Sequence, residues 1–141
     1  MSASQPISTL EYNKGVTLRW FEEVWNHSRR DTIFELFDRE CLLHDGDATI
    51  RGPQEFADFH DRIRAQFDNI CIEPAVTLAE NDLVSLRWTV SGVHKATGKE
   101  TKVTGISIVR IRDGRFIEVW QNWDAAQMAA QLSPTPPAPL F

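Results

Sequence analysis

The stretch Arg115-Phe-Ile-Glu-Val-Trp-Gln-Asn-Trp-Asp124 reads as a β-strand that ends in a carboxylate among aromatic rings. Side chains alternate along a strand. Strict alternation places Phe116, Glu118, Trp120, Asn122 and Asp124 on one face. Ile117, Val119, Gln121 and Trp123 then share the other. The first set mixes rings with two acids and an amide, the composition of a ligand site. The second is mostly apolar and reads as core or interface. The strand is therefore expected to be two-sided and buried, with its chemistry on the first face.

Working backwards, Asp113-Gly114 has the composition of a two-residue hairpin turn into this strand. Alternating patterns predict three further strands, over residues 70–78, 83–94 and 101–111. Ala96-Thr97-Gly98 joins the second of these to the third. Before residue 68 the period is helical. Ser8-x-x-Glu11 is a capping box, and Val16, Trp20, Phe21, Val24 and Trp25 form one apolar stripe. Asn26-His27-Ser28 ends that helix. A short helix over 31–38 is expected to bury Ile33, Phe34 and Phe37. A strand with Cys41, Leu42, Leu43 and His44 follows, closed by the turn Asp45-Gly46-Asp47. Gly52-Pro53 opens a third helix, whose stripe is Phe56, Phe59, His60, Ile63 and Phe67. After Asp124 a helix over 125–132 closes a domain of residues 1–132. Residues 133–141 contain four prolines and form an extended tail. Helices first and long strands afterwards indicate an α+β domain, with helices on one face of a curved antiparallel sheet that encloses a cone-shaped cavity.

A chain of 141 residues with 42% hydrophobic content and five tryptophans is one folded domain, not a disordered segment. Its net charge of −5, spread without blocks, argues against a nucleic-acid or anionic-membrane surface. It leaves a small molecule as the expected partner. Cys41 and Cys71 lie in apolar stretches without a paired spacing, so both are expected to be buried free thiols. No apolar run approaches the ~18 residues of a membrane span, and no signal peptide is visible, so a cytoplasmic location is expected.

A set of motifs recurs in one order. Asn13-Lys14, Phe21-Glu-Glu-Val-Trp-Asn26 and Glu35-Leu-Phe37 are followed by Leu43-His-Asp45 and Gly52-Pro-Gln-Glu-Phe56. Arg87-Trp-Thr89, Thr104-Gly-Ile106 and Arg110 through Asp124 complete it. With these, the chain resembles the SnoaL-like polyketide cyclases, a branch of the nuclear-transport-factor-2-like fold, over roughly residues 11–132. The resemblance implies a cone-shaped α+β barrel with a hydrophobic cavity, usually a homodimer. It also implies ring closure by intramolecular aldol condensation, with an acidic residue as general acid/base and no metal or cofactor. The chain departs from the family pattern at Ser107, where an acid or histidine is common, and at Val119, where histidine is common.

Among the candidate residues, Asp124 has two competing roles. Against Trp120 and Trp123 it reads as a desolvated proton acceptor, yet it also stands where an aspartate caps the following helix. His44, at a strand end, is a candidate to share a proton with Asp124. His44 or Asn122 would then stabilise an enolate oxygen. His60 reads as core or as cavity wall. Trp20, Trp25, Trp88 and Trp120 read as core or as cavity wall for a flat ligand, and Glu118 is the reserve carboxylate. A ligand-binding dimer without catalysis uses the same cavity. An epoxide-opening hydrolase requires an arginine, Arg87 or Arg110, bridging Glu118 and Asp124 inside it.

Overall fold

A computed structural model describes residues 8–133. The proline-rich tail expected at 133–141 therefore lies, beyond Ser133, outside the described residues. Helix α1 (Thr9–Trp20) starts where the Ser8 hydroxyl accepts the Glu11 amide at 3.2 Å. It continues into a wider π-helical segment, Phe21–Asn26, and stops at Ser28, which adopts a φ of +56°. Helix α2 (Arg30–Leu36) buries Thr32, Ile33 and Leu36, while Phe34 stays 41% exposed, contrary to the expected apolar set. Strand β1 (Phe37–Asp45) pairs with a short β2 (Ala48–Arg51), which helical and strand spacing alone did not predict. Helix α3 (Gly52–Gln66) begins with proline in its first turn. The strands β3 (Phe67–Glu80), β4 (Leu83–His94), β5 (Glu100–Arg112) and β6 (Arg115–Trp123) then form a meander, closed by α4 (Ala125–Leu132).

The sheet order is β2-β1-β6-β5-β4-β3. Every neighbouring pair is antiparallel except β1 and β6, which run parallel. The expected all-antiparallel barrel is thus a mixed and open sheet, with β2 and β3 as its edges. Register shifts in β3 and β6 mark the bulges at which such a sheet bends. The helices cover one face. Trp20 fills the core beneath them, its ring centroid 4.9 Å from those of both Phe56 and Phe116 and 5.6 Å from that of Phe37. Cys41 belongs to this core, and burial pushes its thiol up to about 12, which makes it inert at neutral pH. Cys71 is exposed instead of buried.

One bulge overturns the strand reading. Arg110 pairs with Glu118, but Ile111 pairs with Phe116, so β6 carries one extra residue between the two. An extra residue reverses the alternation beyond it. Phe116 and Val119 therefore both point into the core, and both are buried. From there on Val119, Gln121 and Trp123 face the helices, while Glu118, Trp120 and Asn122 face outward. The polar and apolar faces exchange the roles expected from strict alternation.

Candidate functional site

Between the helix-covered face of the sheet and the helices lies a cavity of about 300 Å³. That is the low end of the ~300–1,000 Å³ typical of small-molecule sites. Its wall is mostly apolar and carries six aromatic rings, those of Phe21, Trp25, Phe59, Phe67, Trp88 and Trp123. Asp45 is the one ionisable residue in the lining, and no lysine, arginine or histidine accompanies it among the described residues. Asp45 shares its parity in β1 with the buried Cys41 and Leu43, which aims it at the cavity. The Gln121 side-chain amide donates to Asp45 Oδ2 at 3.2 Å.

A polar row crosses three adjacent strands. Asp45 in β1 is the register partner of Gln121 in β6, which is the partner of Ser107 in β5. Ser107 is 2% exposed, and the Trp88 indole N–H donates to its Oγ at 3.0 Å. Trp88 reaches it by lying across Gly105. A Cβ there would stand 2.3 Å from the indole.

Helix α4 forms one end of the cavity through Met128 and Leu132. It also finishes the sheet where β6 has stopped. The Asp124 amide donates to the Thr104 carbonyl at 3.0 Å, and Gln127 Oε1 accepts the Thr104 amide at 3.3 Å. Gln131 both accepts from the Lys102 amide and donates to its carbonyl, at 2.7 Å each. Two glutamine side chains thus stand in for a missing strand along β5.

Most of the residues expected from the sequence fall elsewhere. Asp124 is exposed, accepts the Gln127 amide at 2.8 Å as the cap of α4, and does not line the cavity. Of its two readings, the structure displays the cap. Asp124→Ala should lower stability by about 1 kcal/mol, some 4 °C in a thermal melt. Asp124→Asn, an equally good cap, should melt with the parent, and neither change should alter ligand binding.

His44 does not meet Asp124. It lies on the outer face, with Nε2 2.7 Å from Glu118 Oε2 and its ring stacked on Trp120 at 6.0 Å. The Arg110 guanidinium covers Trp120 at 5.8 Å and bonds Asp82 at 3.0 Å. Arg110 therefore bridges neither Glu118 nor Asp124, and among the described residues no arginine enters the cavity lining, so the epoxide-hydrolase geometry is not formed. Asn122 is exposed on the same outer side.

His60 is core, 2% exposed, with Nε2 2.8 Å from the Val24 carbonyl. Burial lowers its pKa, which keeps the ring neutral. Trp20 is core as well. Of the expected ligand-contacting residues, Trp88 alone lines the main cavity. Trp25, read as wall or core, also lines it, and the cavity residues missed are Asp45, Gln121 and Trp123. For Asp45 a signal existed, namely its even spacing from Cys41 and Leu43. Gln121 and Trp123 could be found only with the bulge.

A family model, SnoaL-like polyketide cyclase, matches residues 15–132. No curated protein sequence matches the chain. Among solved structures, a candidate SnoaL-like polyketide cyclase from Jannaschia sp. CCS1 is 19% identical, with a TM-score of 0.83 over 94% of this chain and all of that one. IdmH, a candidate polyketide cyclase from Streptomyces antibioticus, is 24% identical, with a TM-score of 0.77 over 85% of this chain and 97% of that one. A protein of ketosteroid-isomerase-like fold from Catenulispora acidiphila DSM 44928, solved with trimethylamine, is 18% identical. Its TM-score is 0.76 over 88% of this chain and 97% of that one. At these identities the likeness is one of fold. The family match, which spans most of the chain, carries more: this protein belongs to the SnoaL-like polyketide cyclases.

Proposed function

We propose that the protein is a cyclase-type enzyme that uses its own side chains for general acid/base chemistry on a compact, flat, largely apolar substrate. Asp45 is the base. The observation that carries this reading is a single carboxylate on the wall of a largely apolar cavity, to which the described residues contribute no cation that would neutralise it. Asp45 takes a proton from the carbon next to a carbonyl, and the C–H electron pair forms an enolate. The enolate carbon attacks a second carbonyl of the same molecule, closing the ring. The resulting alkoxide recovers the proton. Gln121 holds the carboxylate in place, and the rings of Trp25, Trp88 and Trp123 orient a planar ligand.

The test is proton exchange in a probe ketone. Wild-type protein in deuterium oxide should accelerate α-deuteration of 2-tetralone, followed by NMR, above the buffer rate. Tight binding of the ketone without exchange would instead favour a non-catalytic binding protein. No exchange and no binding would remove the cavity as a site.

A homodimer is the second part of the proposal. Beyond the resemblance, it is supported by the outer sheet face, which none of the described helices covers. Val76, Leu78, Ile106 and Ile108 are 51%, 64%, 48% and 38% exposed there, an apolar group of the kind that marks an interface. Sedimentation at micromolar concentration should give a dimer, and Ile106→Glu should give a monomer. A monomeric parent would overturn this part alone.

A further inference from the structure

Behind the main cavity is a second chamber of about 20 Å³, and Phe21, Trp25 and Gln121 line both. A space of ~10–15 Å³ admits one water, so this chamber fits one oxygen atom and little more. Its wall is apolar, with Trp20, Phe116 and Val119 among the residues, except at Ser107 and Gln121. Those two are register partners on neighbouring strands.

Ser107 has an unused hydrogen. An indole nitrogen only donates, so the 3.0 Å contact runs from Trp88 Nε1–H to a lone pair of Ser107 Oγ. A serine hydroxyl carries one hydrogen of its own. Among the described residues none accepts it, and at 2% exposure bulk water does not reach it. Leaving a buried donor without an acceptor is unfavourable. Ser107 lines the chamber, which is a space open to that hydrogen. Gln121 adds a second donor, because its Nε2 carries two hydrogens and only one bond, to Asp45, is made.

We infer that this chamber seats the substrate's carbonyl oxygen, and that Ser107 is a catalytic hydrogen-bond donor to the negative charge that develops there, oriented by Trp88. The inference rests on the reading of Asp45 as base. The spacing agrees with it. Strands lie ~4.8 Å apart, so Asp45 and Ser107, two strands from each other, are separated by about 10 Å. A carbonyl oxygen and its α-carbon are about 2.4 Å apart, from bond lengths of ~1.2 and ~1.5 Å. A hydrogen-bond-length contact of ~3 Å at each end accounts for most of the remainder. As Asp45 removes the α-proton, the C–H pair becomes the new C=C π bond, and the carbonyl π pair moves onto oxygen. Ser107 keeps its proton and shares it with that oxygen, and the pair returns when the carbon–carbon bond forms. A donor already aimed at the charge needs no reorganisation, which makes it effective in an apolar enclosure.

The experiment compares two flat ligands that differ by one anionic oxygen, 4-nitrophenolate and nitrobenzene, on the Asp45→Asn protein. There the amide stands in for the protonated base. Adding Ser107→Ala should weaken 4-nitrophenolate at least ~10-fold, the usual loss for a hydrogen bond to a charged group, and change nitrobenzene less than about twofold. Ser107→Cys keeps the volume with a weak S–H donor. It should reproduce the selective loss and serves where the alanine variant does not fold. Equal losses for both ligands, or none, would overturn the donor role while leaving the cavity intact. Failure of the Asp45→Asn protein to bind either ligand would overturn the cavity reading, and the donor with it.

Discussion

Asp45→Asn should reduce α-proton exchange in a bound ketone by about 10²–10⁴-fold, the range set by loss of a positioned general base. The fold should be untouched. Asp45 ends β1, makes its backbone pairing with Ala48 and Gln121, and has one side-chain partner, the Gln121 amide. Asparagine keeps the size and an acceptor oxygen, so that contact and the melting temperature should survive within a degree or two. Ketone affinity should hold or improve, because the one charge that the described residues place in a largely apolar lining is gone. The result is diagnostic only as a pair: lost exchange with retained binding identifies the base. Asp124→Asn is the control. Its carboxylate faces solvent and the Gln127 amide, so exchange should proceed at the parent rate. If Asp124→Asn were inactive and Asp45→Asn active, the site would have to be rebuilt around the strand end.

The contrast between these two aspartates also explains what the sequence could and could not yield. Helix boundaries are written in local chemistry, such as the Ser8 cap and Pro53, and they emerged within a residue or two. Strands β4 and β6 and helix α4 emerged equally well, because long alternating runs and Asp113-Gly114, with φ of +53° and +74°, are strong local signals. The candidate site was nearly inverted. A single extra residue in β6 exchanges the two faces beyond it. Nothing in the local pattern of Phe-Ile-Glu-Val-Trp marks the extra residue, since the bulge is defined by the partner strand β5. Glu118 and Trp120, chosen from the outward face, instead meet His44 there. The parallel contact of β1 with β6 was equally hidden, because it joins residues more than 70 apart, such as His44 and Trp120. Without that contact Asp45 reads as part of a turn. With it, Asp45 is the end of a polar row.

Gly105→Ala should be strongly damaging, and its damage should fall on the same polar row. The added Cβ would lie 2.3 and 2.4 Å from two carbons of the Trp88 indole and 2.9 Å from the Asn122 carbonyl oxygen. Neither neighbour yields easily. The carbonyl belongs to the β5–β6 pairing, and the indole is 5% exposed and tied to Ser107. Overpacking of this kind costs about 1–3 kcal/mol, and the lost indole bond about 1 kcal/mol more. A fall in melting temperature of roughly 10 °C follows from ~4 °C per kcal/mol. The indole's open side is the cavity, so a displaced Trp88 should shrink the space left for a ligand and weaken ketone binding together with exchange. Strand glycines commonly mark such close approaches. Gly15 in α1 is the opposite case, with nothing within 4 Å of an added Cβ. Alanine there should stabilise the helix by about 0.5–1 kcal/mol and leave ligand binding unchanged. Equal melting temperatures for the two alanine variants would mean that Trp88 does not lie across Gly105, and the orientation of Ser107 would lose its cause.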